Sequence, residues 1–176
     1  MLSWKLRIMP LLDSKLEEYA NMGREMDEKD RQIIRTLQRD GRMSNQDLAA
    51  SVNLSPSPCL RRLRNLEKAG VIQGYAARVD AKAYGLPITA FVRVRLERHD
   101  GDAVQAFERE VMRMDEVLEC HVMTGQTDYQ LRVAVETLEA YENFIRNRLH
   151  RLGGVGSIDT SFAYGTVKDS MVFPVR

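Results

Sequence analysis

One short stretch of the chain carries side chains with the chemistry to read DNA. When the segment that follows Ser55 is placed on a helix, with 100° between neighbouring residues, its polar and basic side chains fall on one side. They are Ser57, Arg61, Arg64, Asn65 and Lys68, with Arg62 at the flank. Arginine binds guanine edges bidentately or contacts phosphates, asparagine pairs with adenine, and a small serine lets a helix enter the major groove. This face predicts contacts with double-stranded DNA; the alternative interpretation is a solvated basic helix face.

Two short helices around a tight turn must hold this face in position. The first begins after Ser44, a good N-cap residue, and ends at Asn53. The second begins at Ser55-Pro56, which suits an N-cap and a first helical turn, and ends at Gly70. Apolar residues keep helical spacing in both segments: Leu48, Ala49, Val52, Cys59, Leu63 and Leu66. This arrangement is typical of a helix-turn-helix, whose second helix reads DNA.

A third helix, predicted over Asp27 to Arg39, precedes these two and completes a three-helix unit. Asp27 suits its N-cap, and Asp40-Gly41 ends it. The DNA-binding candidates are the polar face of the last helix together with the starts of the last two helices. They are Ser44, Asn45, Gln46, Ser55, Ser57, Arg61, Arg62, Arg64, Asn65 and Lys68.

Length and charge fit two small domains, each with a core of its own. The chain has 176 residues, of which 44% are hydrophobic and 29% are charged, and its net charge of +1 excludes a uniformly basic surface. Residues 26–80 hold ten lysines and arginines against seven aspartates and glutamates, whereas residues 81–176 hold twelve against fourteen. The basic excess therefore lies with the helix-turn-helix, as a local nucleic-acid footprint requires.

The sequence offers no set of residues suited to catalysis or to a metal. Cys59 and Cys120 lie in apolar patterns without C-x-x-C spacing, so reduced, packed thiols are expected. His99, His121 and His150 lie far apart, and Cys120 and His121 would point to opposite faces of a strand. We therefore expect no enzyme, no cofactor and no metal site. Reduced thiols, with no signal peptide or membrane-spanning segment, favour a cytoplasmic protein.

The second half of the chain predicts an α+β domain. The predicted order after residue 87 is β-α-β-β-α-β, a ferredoxin-like sandwich with one open sheet face. Predicted strands are Ile88–Leu96, Val117–Thr124, Tyr129–Val135, Ile158–Tyr164 and Met171–Val175, and predicted helices are Asp102–Arg113 and Leu138–Leu152. A further strand over residues 71–79 and a linker lead into this domain.

Several motifs, taken in order, resemble the Lrp/AsnC (feast/famine) transcriptional regulators over almost all of residues 26–176. The helix from Met26, the Leu54-Ser-Pro-Ser-Pro-Cys turn and Gly70-Val-Ile resemble the N-terminal domain of that family, and Glu119-Cys-His and Asp128-Tyr129 resemble its C-terminal domain. The resemblance implies a winged helix-turn-helix joined to a regulatory domain. It also implies homodimers that assemble into an octamer or a related ring, with a small amino acid bound between dimers.

The resemblance also places the amino-acid effector at the loop between the second and third strands. The implied effector-binding residues are Thr124, Gly125, Gln126, Thr127, Asp128 and Tyr129, with Thr160 and Ser161 from a neighbouring dimer. Gly125 allows close backbone approach, loop N–H groups can hold a carboxylate, and Asp128 could pair with an α-ammonium group. Neutral Gln126 and Thr127 favour a polar or medium-sized amino acid. The alternative is a tight hairpin in which Asp128 only caps a turn.

The expected function is a sequence-specific DNA-binding regulator whose assembly or DNA affinity responds to a small amino acid. The expected domains are an N-terminal extension (1–25), the helix-turn-helix (26–72), a strand and linker (73–87) and a ferredoxin-like domain for ligand binding and oligomerisation (88–176). The rival is an amino-acid-sensing module that contacts a protein partner through its winged helix, and the exposed arginines argue against it. RNA binding is disfavoured because the RNP aromatic pattern is missing from the strands.

Overall fold

The computed structural model describes residues 26–174. The predicted N-terminal extension (1–25) lies outside the described residues. The chain divides into two compact units, one containing the described residues up to Arg78 together with residues 168–174, and the other containing Val79–Val167. The first unit holds three helices: α1 (Glu28–Arg39), α2 (Asn45–Ser51) and α3 (Pro56–Lys68).

Local sequence signals set the bounds of these helices. The Asp27 carboxylate accepts from the Asp30 N–H at 2.9 Å, and the Asp30 carboxylate accepts from the Asp27 N–H at 3.2 Å. These reciprocal bonds satisfy two donors that the first turn of α1 leaves unpaired. Ser44 caps α2 by accepting from the Asp47 N–H at 3.2 Å. Asn53 ends the turn between α2 and α3 with φ of 54°, a conformation that asparagine tolerates better than most residues.

The predicted apolar spacing forms the core of the three-helix unit. Its fully or almost fully buried side chains are Ile33, Leu48, Ala49, Val52, Cys59 and Leu66. Every helix contributes to this core, so burial of the stripe on α3 orients the opposite face of that helix outward. The apolar residues thus determine how the three helices pack, and this packing turns the basic side chains outward.

The second unit is a four-stranded antiparallel sheet with helices packed on one face. Its elements are α4 (Ala81–Tyr84), β1 (Ile88–Leu96), α5 (Gly101–Val111), β2 (Val117–Val122), β3 (Tyr129–Val135), α6 (Leu138–Phe144) and β4 (Val155–Phe162). The strand order is β2-β3-β1-β4, and every neighbouring pair is antiparallel. After Phe144 the last helix continues as a π-helical segment, Ile145–Leu149. This βαββαβ arrangement confirms the ferredoxin-like prediction.

Alternation along β1 separates the two faces of the sheet. Ala90, Val92, Val94 and Leu96 are buried towards the helices, whereas the side chains between them are exposed. Phe107 of α5 and Phe144 of α6 are among the largest buried side chains of this core. The other face of the sheet is left uncovered by residues 26–174, and Phe91, Arg93 and Arg95 are exposed there.

Three predicted features differ in the structure. The strand predicted over residues 71–79 does not form, because an extended segment needs a neighbouring strand to pair its N–H and C=O groups. The predicted linker instead contains α4, capped by Asp80 and ended by Gly85 at φ of 101°. Residues 171–174 are not a strand either; the Phe173 N–H donates to Gln38 Oε1 at 3.0 Å, and Arg35 Nη1 donates to the Phe173 carbonyl. Side chains of α1 therefore replace a strand partner there, and Val175 lies outside the described residues.

Candidate DNA interface and ligand-binding loop

The polar side of α3 is exposed along its length. We name this set the recognition face; its members are Ser57, Arg61, Arg64, Asn65 and Lys68, and all of them are exposed. The opposite side is anchored by Cys59, which is fully buried, and by Leu66, of which 6% is exposed. An exposed row of two arginines, an asparagine and a lysine on a rigid helix can contact base edges and phosphates together.

The predicted DNA contacts at the starts of α2 and α3 differ in whether their side chains are already hydrogen-bonded within the protein. Ser44 is engaged in capping α2, and Gln46 is exposed. Asn45 Nδ2 donates to the Pro56 carbonyl at 3.0 Å, so this asparagine links α2 to the first turn of α3. Ser55 occupies the N-cap position of α3, as the sequence predicts, but its side chain makes no capping bond. Its exposed hydroxyl remains available to an external partner such as a phosphate oxygen.

Arg62 has partners inside the protein, in contrast to its predicted contact with DNA. Its Nη1 lies 2.6 Å from Asp27 Oδ2 and 2.9 Å from Asp30 Oδ1. The hydrogen bond from the Asp30 backbone N–H, with a smaller effect of Arg62, holds the pKa of Asp27 below its ordinary value. These contacts tie α3 to the N-terminus of α1, where negative charge also suits the helix dipole. Arg62 therefore lies at this junction, and its predicted contact with DNA stays a prediction.

The loop between β2 and β3, residues 123–128, turns its acidic residue inward. The Asp128 side chain is only 7% exposed, and its Oδ2 accepts from the Leu96 N–H at 2.8 Å. The same oxygen lies 3.0 Å from His99 Nε2. A carboxylate held in this way is turned away from solvent, and the predicted pairing of Asp128 with an α-ammonium group stays a prediction. These contacts give Asp128 a structural role at the end of the loop.

Tyr129 is likewise a core residue and not part of an open site. Only 3% of it is exposed, and its ring centroid lies 4.5 Å from that of Phe107. Its hydroxyl donates to Glu108 Oε1 at 2.9 Å. Desolvation and this glutamate raise the pKa of the Tyr129 hydroxyl well above its ordinary value. Asp128 and Tyr129 are thus both buried in the described chain, and their predicted contacts with a ligand stay predictions.

The middle of the loop, residues 124–127, is the part of the loop that solvent reaches. Thr124, Gly125 and Gln126 are exposed and Thr127 is half-buried. Gly125 has φ of 125°, a backbone conformation in which a side chain would be strained. A loop of this kind can bring backbone N–H groups close to a carboxylate. These four residues are the predicted ligand contacts that the loop exposes at least in part.

Thr160 and Ser161 lie on opposite faces of β4. The Thr160 hydroxyl lies 2.6 Å from the Tyr141 hydroxyl on the helix side of the sheet. Ser161 pairs in register with Phe91 on the uncovered side, where its Oγ accepts from Arg93 Nη2 at 3.4 Å. The two residues cannot contact one ligand from the same strand because adjacent strand residues point in opposite directions.

Neither the histidines nor the cysteines assemble a reactive centre. No group of three or more potential ligands that could hold a metal occurs among the described residues. Desolvation, with a smaller effect of nearby Glu108, raises the pKa of the Cys120 thiol to about 11, so this thiol stays protonated at neutral pH. His121 Nε2 lies 3.4 Å from Glu119 Oε2.

Across residues 26–174, no helix is both long and apolar enough to cross a membrane.

Comparison with known proteins assigns both units. The profile described as winged helix-turn-helix DNA-binding matches residues 26–73, and the one described as Lrp/AsnC ligand binding domain matches residues 89–173. A Bkd operon transcriptional regulator of Pseudomonas aeruginosa is 43% identical over 143 residues, which cover 81% of this chain and 94% of the relative. The chain belongs to the Lrp/AsnC family. It is therefore a DNA-binding transcription regulator with a ligand-binding second domain.

Further Lrp/AsnC relatives agree in both sequence and structure. The leucine-responsive regulatory protein of Escherichia coli is 38% identical over 160 residues, covering 91% of this chain and 95% of the relative. A transcriptional regulator of Neisseria meningitidis, solved in complex with L-methionine, is 38% identical and superposes with a TM-score of 0.81, covering 85% of this chain and 96% of the other. These relatives are transcriptional regulators and not enzymes.

Proposed function

We propose that this regulator binds DNA through the recognition face of α3 and that an amino acid bound at residues 124–127 changes its assembly or its DNA affinity. The observation that carries the DNA assignment is the exposure of all five members of the recognition face on a helix anchored by buried Cys59 and Leu66. Arg61 and Asn65 are four residues apart and so neighbour each other on this surface. They are the proposed base-reading pair, and Lys68 is a proposed phosphate contact.

The amino-acid site rests on the loop backbone and on its neutral side chains. With Asp128 turned inward, the loop offers N–H groups and the side chains of Gln126 and Thr127 without a facing negative charge. Such a loop suits the carboxylate of an amino acid. The lack of charge favours a polar or medium-sized amino acid, and the relatives named for leucine and solved with L-methionine make L-leucine and L-methionine the first ligands to test.

We further propose that the protein is a homodimer that assembles into an octamer or a related ring. The uncovered sheet face supports this, because Phe91 is 37% exposed there beside the Arg93–Asp159 ion pair, whose atoms lie 2.6 Å apart. A two-fold symmetric dimer would place its two recognition helices on half-sites separated by whole DNA turns of about 10 bp. Ser161, on the same face, is then placed to meet a second copy.

No enzymatic role, cofactor or membrane attachment is part of this proposal, and we place the protein in the cytoplasm. The protonated Cys120 thiol and the structural engagement of His99 with Asp128 support a binding function over catalysis. The amino acid acts as an effector and is not consumed. To regulate, it must bind two states of the protein with different affinity.

Gel retardation with an upstream DNA fragment at two salt concentrations, with and without L-leucine or L-methionine, tests the proposal. We expect salt-sensitive, sequence-selective retardation that one of the amino acids alters. An unrelated fragment of equal length is the control. If the two fragments are retarded equally at both salt concentrations, the chain does not read sequence, and the rival module with a protein partner becomes the better description.

A further inference from the structure

Two donors, one at the end of β1 and one three residues after it, hold the inward carboxylate of Asp128. One is the Leu96 N–H at 2.8 Å, and the other is His99 Nε2 at 3.0 Å; both contact Oδ2. A carboxylate that is almost completely buried loses its hydration and therefore needs such partners. The Leu96 donor belongs to the backbone and is present in any sequence. The His99 donor is the one that a substitution can remove.

The backbone of Asp128 is bonded on both sides as well. Its N–H donates to the Val94 carbonyl at 2.9 Å, and its carbonyl accepts from the Met123 N–H at 2.8 Å. The second bond closes residues 124–127 into a small loop with fixed ends. The conformation of the exposed residues therefore depends on where Asp128 is held.

His99 is itself held at a defined place. It is partly buried, with 28% of its side chain exposed, and it follows β1 by three residues. The next residue, Asp100, caps α5 by accepting from the Ala103 N–H at 3.0 Å. A side chain fixed between a strand end and a helix start can orient its partner with little loss of rotamer freedom.

We propose that His99 is a positioning residue for the amino-acid site. By holding Oδ2 of Asp128, it keeps that negative charge away from the exposed loop and sets the loop conformation that receives the ligand. An outward Asp128 would instead repel the carboxylate of an amino acid, because like charges destabilise each other at short range. This inference rests on the proposed amino-acid site at residues 124–127, but the part that concerns loop conformation does not need the ligand.

Two substitutions of His99 separate the effect of its N–H donor from the effect of its side-chain volume. His99→Gln keeps an N–H donor that can reach Asp128, whereas His99→Leu keeps similar volume without a donor. His150→Leu, which removes an exposed histidine of the same unit, is the matched control. Each full-length variant is titrated with L-leucine and L-methionine by calorimetry, and backbone hydrogen exchange is followed over residues 123–128 without ligand.

We expect His99→Leu to weaken amino-acid binding by about tenfold or more and to speed exchange in residues 123–128. His99→Gln should restore both to within about threefold of the parent, and His150→Leu should leave both unchanged. DNA binding without amino acid should stay the same in all three variants. Unchanged affinity and unchanged exchange in His99→Leu would overturn the inference, and so would a failure of His99→Gln to restore them.

The same data separate this inference from the proposed function. If the parent protein binds neither amino acid, the proposed ligand assignment fails, and the exchange rates alone decide whether His99 positions the loop. Faster exchange in His99→Leu, reversed in His99→Gln, then supports the positioning role, while equal rates in the parent and both variants refute it.

Discussion

The recognition face of α3 and the loop between β2 and β3 both contain charged groups, yet they use them in opposite ways. On α3, Arg61 and Arg64 extend into solvent from a helix whose other side is fully packed. In the loop, the acidic residue Asp128 is buried and bonded to the protein, and neutral residues face outward. Charge on the first surface is exposed for the proposed contact with DNA, and charge in the second region supports the shape of the proposed ligand site.

This difference has an energetic consequence. An exposed side chain with no protein partner costs little stability when it is replaced, so its loss shows mainly in binding. A buried carboxylate with two donors leaves those donors unsatisfied when it is removed, so its loss shows first in stability. Single substitutions in the two regions should therefore have opposite profiles.

The largest effect is expected at Asp128. Asp128→Ala leaves the Leu96 N–H and His99 without their shared acceptor, and we expect it to lower the free energy of unfolding of the second unit by about 2–3 kcal/mol. Thermal and urea unfolding measure this. Asp115→Ala, at an exposed position of the same unit, is the control and should change stability by less than about 0.5 kcal/mol. A stability loss no larger than that of the control would mean that Asp128 is not the buried anchor described here.

The next effect concerns base reading. Arg61→Ala should weaken specific DNA binding by about 1–3 kcal/mol while non-specific binding changes less, because a base contact distinguishes sequences. The melting temperature should not move, since Arg61 is exposed. Fluorescence anisotropy with specific and scrambled duplexes gives both affinities. Light scattering that reveals a lost oligomer in place of a lost contact would argue against the assignment.

The adjacent arginine should behave differently. Arg62→Ala removes the contacts with Asp27 and Asp30 and should cost about 1 kcal/mol of stability, a modest value because the pair is partly exposed. The depressed pKa of Asp27 means that its ionised form stabilises the fold above its ordinary pKa of 3.8, and this stabilisation is lost as the pH falls below about 4. Thermal unfolding is measured from about pH 3 to about pH 7. The melting temperature should fall less steeply with acid in Arg62→Ala than in Arg61→Ala. Equal stability and equal acid profiles in the two variants would mean that Arg62 does not stabilise this junction.

The smallest effect is expected at Lys68. Lys68→Ala should reduce the slope of log affinity against log salt by about one while leaving site preference unchanged, as for a phosphate contact. Anisotropy titrations at four or more salt concentrations, about the minimum for a slope, measure this on specific and scrambled duplexes. A loss confined to the specific duplex would make Lys68 a base-reading residue and extend the contrast between α3 and the loop.

Regular elements were predictable from the sequence because their side-chain directions repeat. The strands Ile88–Leu96 and Tyr129–Val135 have the predicted bounds, and the helical stripe through Cys59 and Leu66 predicted which side of α3 faces outward. Alternation in a strand and a 100° step in a helix depend only on local geometry. The helix-turn-helix and the βαββαβ order therefore follow from patterns that are local in the chain.

The tertiary structure decided what the charged residues outside those repeats do. The partners of Arg62 lie 35 and 32 residues away in the chain, and His99 lies 29 residues from Asp128. No local pattern reports such a distance, so neither pairing could be predicted from the sequence. Likewise, the apolar residues 171–174 were predicted to form a strand, but side chains of α1 bind the backbone of Phe173 instead. The sequence determined the elements and their outward faces, and only folding determined which polar groups pair with each other, because pairing depends on distances in space and not along the chain.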